Sequence, residues 1–335
     1  MATESKKILI VNTRLYLRTL EGAIAVLHNR NLVLRIDMNS HRSFFTRKQL
    51  LFIALFLIIA IMTALPLAFQ KNQSTHQPIN QLLVFGDSLS DVGHVFRATT
   101  GEYPESPPYF QGRYSNGRVW VEQLADQLQL SAQQVQNFAW GGATTGQTGI
   151  SGVPGVLAQV EQFSTKNQTA NSQALYVIWA GANDYLYSEA TPAGSIANLS
   201  QAVRSLSKIG ATRFLIGNIP DLGNLPATRT NGNAKLLSQA AIAHNQALKS
   251  AIASLQSELK VNLIEIDNYA AYQAAIANPK QFGFTNVTSA YLEAKNSDAK
   301  ADQFLFWDGI HPTTTTHKIL SDRAFTIVRS TFAKS

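Results

Sequence analysis

Residues 82–91 read Leu-Leu-Val-Phe-Gly-Asp-Ser-Leu-Ser-Asp: four apolar residues without polar alternation, then a glycine, an acid and a hydroxyl. A short unbroken apolar run belongs to a strand covered on both faces, as in a parallel sheet, and Gly86-Asp87-Ser88 marks a strand-to-helix turn. This run, taken as Gln81–Phe85, has four companions further along: Val135–Ala139, Ala174–Ala180, Arg213–Gly217 and Val261–Ile266. Between and after them the spacing of apolar residues predicts helices over Arg118–Leu130, Val153–Lys166, Ser195–Ile209, Asn233–Leu259 and Thr313–Phe332. Strands alternating with helices imply βαβ units and a mostly parallel sheet sandwiched between helical layers. One domain, about 81–333, accounts for this pattern.

Outside that domain the chain changes character. Of 28 Lys+Arg and 21 Asp+Glu, nine and three fall in residues 1–49, so +6 of the net charge of +7 precedes residue 50 and the remainder is nearly neutral. A nucleic-acid groove is thereby excluded on charge grounds. Residues 50–69 are uncharged and apolar, long enough as a helix to span about 30 Å of hydrocarbon. With Arg42, Arg47 and Lys48 ahead of them, they read as a signal peptide or a transmembrane anchor, and either sends the following chain out of the cytoplasm. Residues 1–37 fit neither reading, whereas Met38 lies just ahead of the cationic stretch; a start at Met38 is the expectation. Residues 70–80 are polar and aperiodic, as in a linker. The 335 residues contain no cysteine, which removes disulfides, thiolate metal sites and a cysteine nucleophile.

In sheets of this type ligands bind beyond the carboxyl ends of the strands, so the residues just after each run are the first candidates. Ser88 follows the first run; its hydroxyl would stand above the sheet edge and its amide at a helix start, though G-D-S also serves as a simple helix cap. Asn137-Phe-Ala-Trp-Gly-Gly-Ala-Thr-Thr145 follows the second, and its glycines can bring an amide close to an oxyanion or merely make a turn. Gly181-Ala-Asn183-Asp184 follows the third, where Asn183 could offer an amide N–H or form an Asx turn with Asp184 as cap. Near the C-terminus Asp308 precedes His311 by three residues, a spacing that lets the carboxylate hold Nδ1 and leaves Nε2 to take a proton. The same pair could be half a metal site, but no other His or carboxylate cluster in the body supplies further ligands, and neither metal nor cofactor is expected. His244 falls at helical spacing among leucines and reads as a packing residue. His94 and His317 lie near the blocks without an acid placed in the same way. Tyr109, Phe110, Trp120, Trp140, Tyr185 and Trp307 flank the blocks and could line an apolar cleft, with Trp120 and Trp179 assigned to the core.

GDSLSD, NFAWGGATT, GAND and DGIHPT, with YFQGRYSNGRVW at 109–120, together resemble the SGNH/GDSL lipase–esterase superfamily over about residues 81–333, and most closely its lecithinase/hemolysin-like branch. The branch commonly has Asn where this chain has His94; none of the catalytic roles falls there. The resemblance implies a flavodoxin-like three-layer α/β/α sandwich with five parallel strands. It also implies a Ser88 nucleophile, a His311 base oriented by Asp308, and an oxyanion hole from the Ser88 amide, the Gly142 amide and the Asn183 side chain. The implied activity is hydrolysis of lipid or other acyl esters, with an acylated carbohydrate or a thioester as alternative substrate. A tethered, non-catalytic binding protein on the same scaffold is the alternative from another class. The implied partners are an ester substrate and, if residues 50–69 are retained, a membrane. Oligomeric state is not legible.

Overall fold

The computed structural model describes residues 78–294 and 300–332. The basic segment 1–49, the apolar run 50–69, the proposed start at Met38 and most of the linker 70–80 lie outside the described residues. Among those described, no helix is long and apolar enough to cross a membrane.

The elements run β1 (Gln81–Gly86), α1 (His94–Ala98), α2 (Trp120–Gln127), β2 (Val135–Asn137), α3 (Val156–Lys166), β3 (Ala174–Trp179), α4 (Ala182–Leu186), α5 (Pro192–Lys208), β4 (Arg213–Gly217), α6 (Ala234–Leu259), β5 (Asn262–Ile266), α7 (Asn268–Ala277), β6 (Asn286–Ala290), β7 (Phe304–Phe306) and α8 (Thr314–Phe332). β1 to β5 form one sheet in the order β2-β1-β3-β4-β5 with every pairing parallel. β1 lies between β2 and β3, the strand order reverses there, and Gly86 pairs with Trp179 at the carboxyl end. This is the crevice where ligands of open α/β sheets bind.

Alternation along the strands explains the unbroken apolar runs. Leu82 and Val84 of β1 join Leu175, Val177 and Trp179 of β3 in a core completed by α2, α7 and α8. Leu83 and Phe85 face the other way and meet Tyr176 and Ile178, under α3, α5 and the second half of α6. Both faces are covered, so polar residues have no face to occupy. The expected Trp120 and Trp179 pack edge to face at 5.3 Å inside the first core, 0% and 1% exposed.

The helix ends follow local chemistry. Thr191 caps α5 by accepting from Gly194 N at 3.1 Å, with Pro192 in the first turn. β2 ends at Asn137 rather than Ala139, because Asn137 Oδ1 turns back to accept from Ala139 N at 2.9 Å. The chain still donates from Phe138 N to Val84 O and from Trp140 N to Gly86 O, which carries the glycine pair directly beside the end of β1. β6 and β7 form a separate two-stranded parallel pair that delivers Trp307 and Asp308 to the same edge.

Candidate active site

Gly86 closes β1 against β3 so tightly that a Cβ there would stand 2.5 Å from Trp179 O. Gln159 of α3 locks it further, accepting from Gly86 N and donating to Gly86 O, each at 2.9 Å. The next two residues emerge into the crevice: Asp87 is 2% exposed and Ser88 8%.

Facing Ser88 is the loop after β7. Trp307 N donates to His311 O, and Ser115 Oγ donates to Pro312 O at 2.9 Å, which fixes the loop backbone from two sides. Asp308 Oδ1 accepts from Ile310 N at 2.8 Å and His311 N at 2.7 Å, while Oδ2 lies 2.7 Å from His311 Nδ1. His311 Nε2 is 2.9 Å from Ser88 Oγ. Burial works to raise the Asp308 carboxyl, but the attraction of His311 and the hydrogen bonds from its ring and from the loop amides outweigh it and hold the pKa at about 2. An ionised carboxylate only accepts, so Nδ1 carries the imidazole proton and Nε2 is left to accept from the Ser88 hydroxyl.

The remaining candidates converge on the same hydroxyl from the other strands. Gly142 has φ +83°, a left-handed conformation that glycine adopts without strain. Its neighbour Gly141 is already engaged, its N–H donating to Asp91 Oδ2 at 2.9 Å. The amides of Gly142 and Ser88 make no hydrogen bond among the described residues. Asn183, 7% exposed, donates one amide hydrogen to Ala143 O at 2.9 Å, which leaves the second free. Two buried carboxylates hold the ends of this loop. Asp91 also accepts from Gly93 N and His94 N at 2.8 and 2.6 Å, and Asp184 accepts from Thr145 N at 2.9 Å and Ser195 Oγ at 2.8 Å. Asp184 is therefore a tie between loops, not the cap of an Asx turn.

Some expectations change. His94 does have an acid three residues before it, Asp91, at 3.6 Å from Nδ1. That carboxylate is spent on backbone amides, and the ring nitrogen donates instead to Ala139 O at 2.9 Å, tying the first loop to the second. His244 is fully buried as a packing residue, but it also pairs Nδ1 with Tyr185 OH at 2.8 Å, and burial lowers its pKa to about 4. Trp140 stacks on His94, so of the six flanking aromatics only Tyr109 and Trp307 stand at the acid, their rings 6.2 Å apart.

Two residues have roles that the sequence does not signal. Tyr109 OH donates to Asp308 Oδ2 at 2.7 Å, a further hydrogen bond to the carboxylate that orients His311. No spacing signal could reveal a contact across 199 positions. The Asp87 carboxyl receives one hydrogen bond from another residue, Leu89 N at 3.1 Å. Burial pushes its pKa up to about 7 against the opposing pull of that bond and of His311, with the charge of Asp184 adding to the rise.

A family model described as GDSL-like lipase/acylhydrolase matches residues 82–324. The chain is 29% identical over 310 residues to the phosphatidylcholine-sterol acyltransferase of Aeromonas hydrophila, covering 76% of this chain and 91% of that one. It is 27% identical over 278 residues to the thermolabile hemolysin of Vibrio parahaemolyticus, covering 76% and 65%. To the secreted effector protein SseJ of Salmonella typhimurium it is 28% identical over 274 residues, covering 76% and 66%. The chain thus spans nearly the whole of the first relative and about two thirds of the other two.

Proposed function

This chain belongs to the GDSL-like lipase/acylhydrolase family and is a hydrolase of ester bonds; on that premise we propose that Ser88 is its nucleophile, His311 the base and Asp308 the orienting acid. The Ser88 amide, the Gly142 amide and the Asn183 side chain form the oxyanion hole. As Ser88 Oγ attacks the ester carbonyl, its proton passes to His311 Nε2, and the imidazolium is stabilised by Asp308. The carbonyl oxygen takes up the negative charge within reach of the three N–H groups. Collapse of the tetrahedral intermediate returns the proton from Nε2 to the leaving alcohol. Water, deprotonated by the same nitrogen, then releases the acid and restores Ser88.

The observation that carries this reading is the hydrogen-bonded row Asp308–His311–Ser88 beside two backbone amides that have no partner among the described residues. Backbone N–H groups left unpaired in a folded chain are costly, and an oxyanion would satisfy both. Hydrolysis of p-nitrophenyl acetate by the full chain tests it: Ser88→Ala should lose about 10⁴-fold or more in kcat. A variant that keeps wild-type turnover would refute the assignment.

We place the catalytic domain outside the cytoplasm. The uncharged run 50–69 behind Arg42, Arg47 and Lys48 supports this, as does a relative that is itself a secreted effector. N-terminal sequencing of the mature protein separates a cleaved signal from an anchor.

A further inference from the structure

The tetrahedral intermediate at Ser88 has four substituents, and three of them have places. Ser88 Oγ is the first, and the oxyanion faces Gly142 N and Asn183 Nδ2. The leaving oxygen must lie against His311 Nε2 to receive its proton. On that side stand Tyr109 and Trp307 beside Asp308, and Tyr114 with its ring centroid 5.0 Å from that of His311. The fourth substituent, the acyl chain, needs a separate cavity.

A larger depression of about 420 Å³, bounded by Arg118, Glu122 and Asp126, contains neither Ser88 nor His311 in its wall. The cavity whose wall contains Ser88 and Asn183 has a volume of about 20 Å³. That is little more than the roughly 10–15 Å³ that admits one water. Its wall is built by Leu186, Leu222, Leu225, Tyr272 and Ile310, with the carboxyl of Asp87 among them. Leu222, Leu225 and Tyr272 are 0%, 2% and 4% exposed and belong to the main core, so they cannot withdraw without opening the packing beneath α7.

We propose that this cavity is the acyl subsite and that it selects short acyl groups, of roughly two to four carbons, while the bulk of the substrate lies on the alcohol side. The inference rests on the serine-hydrolase reading above and narrows it. A long-chain acyl ester has no room to seat its chain beside Ser88 with the core intact.

The test is kcat/KM of the full chain on p-nitrophenyl esters of two, four, eight and twelve acyl carbons, below their micellar range. The expected result is a fall of roughly tenfold or more between the four- and eight-carbon esters, continuing to twelve. Leu225→Ala should raise the eight-carbon ester relative to the four-carbon one. Leu186→Ala, at a half-buried position less costly to folding, should shift the same ratio in the same direction; thermal melting verifies that each variant is folded. Wild-type preference for eight or twelve carbons would overturn the subsite, as would a ratio unmoved by both folded variants. A chain that cleaves none of the esters would instead overturn the serine-hydrolase reading on which the subsite rests.

Discussion

Asp87, in the turn after β1, and Asp308, in the loop after β7, are carboxyls near one imidazole, and the fold treats them oppositely. Both are desolvated, and burial pushes both upward. Asp308 settles at about 2 because the attraction of His311, together with the hydrogen bonds from His311 Nδ1, His311 N and Ile310 N, outweighs its burial. Asp87 rises to about 7 because burial is opposed only by the hydrogen bond from Leu89 N, the one outside donor to its carboxyl, and by the pull of His311, while the charge of Asp184 adds to the rise. Pairing with the imidazole and the supply of hydrogen bonds, more than depth, decide which carboxyl carries charge in this crevice. The loop after β7 is built to keep an anion; the turn after β1 presents a group that is half neutral near pH 7.

The contrast breaks most completely at Asp308→Asn. An amide can hold the wrong imidazole tautomer, and kcat on p-nitrophenyl acetate should fall roughly 10³–10⁴-fold with KM nearly unchanged. Tyr109→Phe only weakens the contrast, by removing one of the donors to Asp308. The carboxylate then attracts the imidazolium more strongly, so the acid limb of the kcat/KM profile should move to higher pH by up to about one unit. Turnover at the plateau should drop less than about tenfold. A purely structural tyrosine would lower activity evenly and leave that limb where it was.

The remaining effect is on stability, with none expected on the plateau rate. Between 3.8, the ordinary carboxyl value, and about 7 the folded protein keeps a proton on Asp87 that the unfolded chain has released. Stability therefore falls as pH rises through that window and the penalty is constant above it, amounting to about 4 kcal/mol at most. Asp87→Asn should remove the penalty, so its melting temperature relative to wild type should be higher at pH 8 than at pH 4. Asp308 acts in the opposite sense: its contribution is present above 3.8 and is lost as pH falls toward about 2.

Two-sided burial makes a strand most legible in the sequence, although the partly exposed β2 and β5 also fall within strand-like runs. β1, β3 and β4 could be read directly because each residue of Leu82–Phe85, Leu175–Trp179 and Phe214–Ile216 is buried on one face or the other. β6, half exposed with Thr288 and Ser289 outward, has no such run, and α7 is alanine-rich with apolar residues all round, so neither carries a periodic signal. In the site, Asp91-x-x-His94 and Asp308-x-x-His311 have the same spacing. Only the second leaves a carboxylate oxygen for the ring, because Asp91 is consumed by loop amides. Spacing alone does not separate them. Likewise nothing in spacing separates Gly141 from Gly142; the resemblance favours the second, and the pairing of the Gly141 amide with Asp91 supplies a physical difference between them. Tyr109 and the isolation of Asp87 arise from chain segments brought together only by folding.

The central claim is that Ser88, activated by His311, becomes covalently acylated. Treating the full chain with a fluorophosphonate and mapping the adduct by peptide mass spectrometry tests it most directly. The account predicts a single modified peptide containing Ser88, absent in Ser88→Ala and formed much more slowly in Asp308→Asn. An enzyme that hydrolyses esters while Ser88 stays unlabelled, or that carries its adduct on another residue, would contradict it.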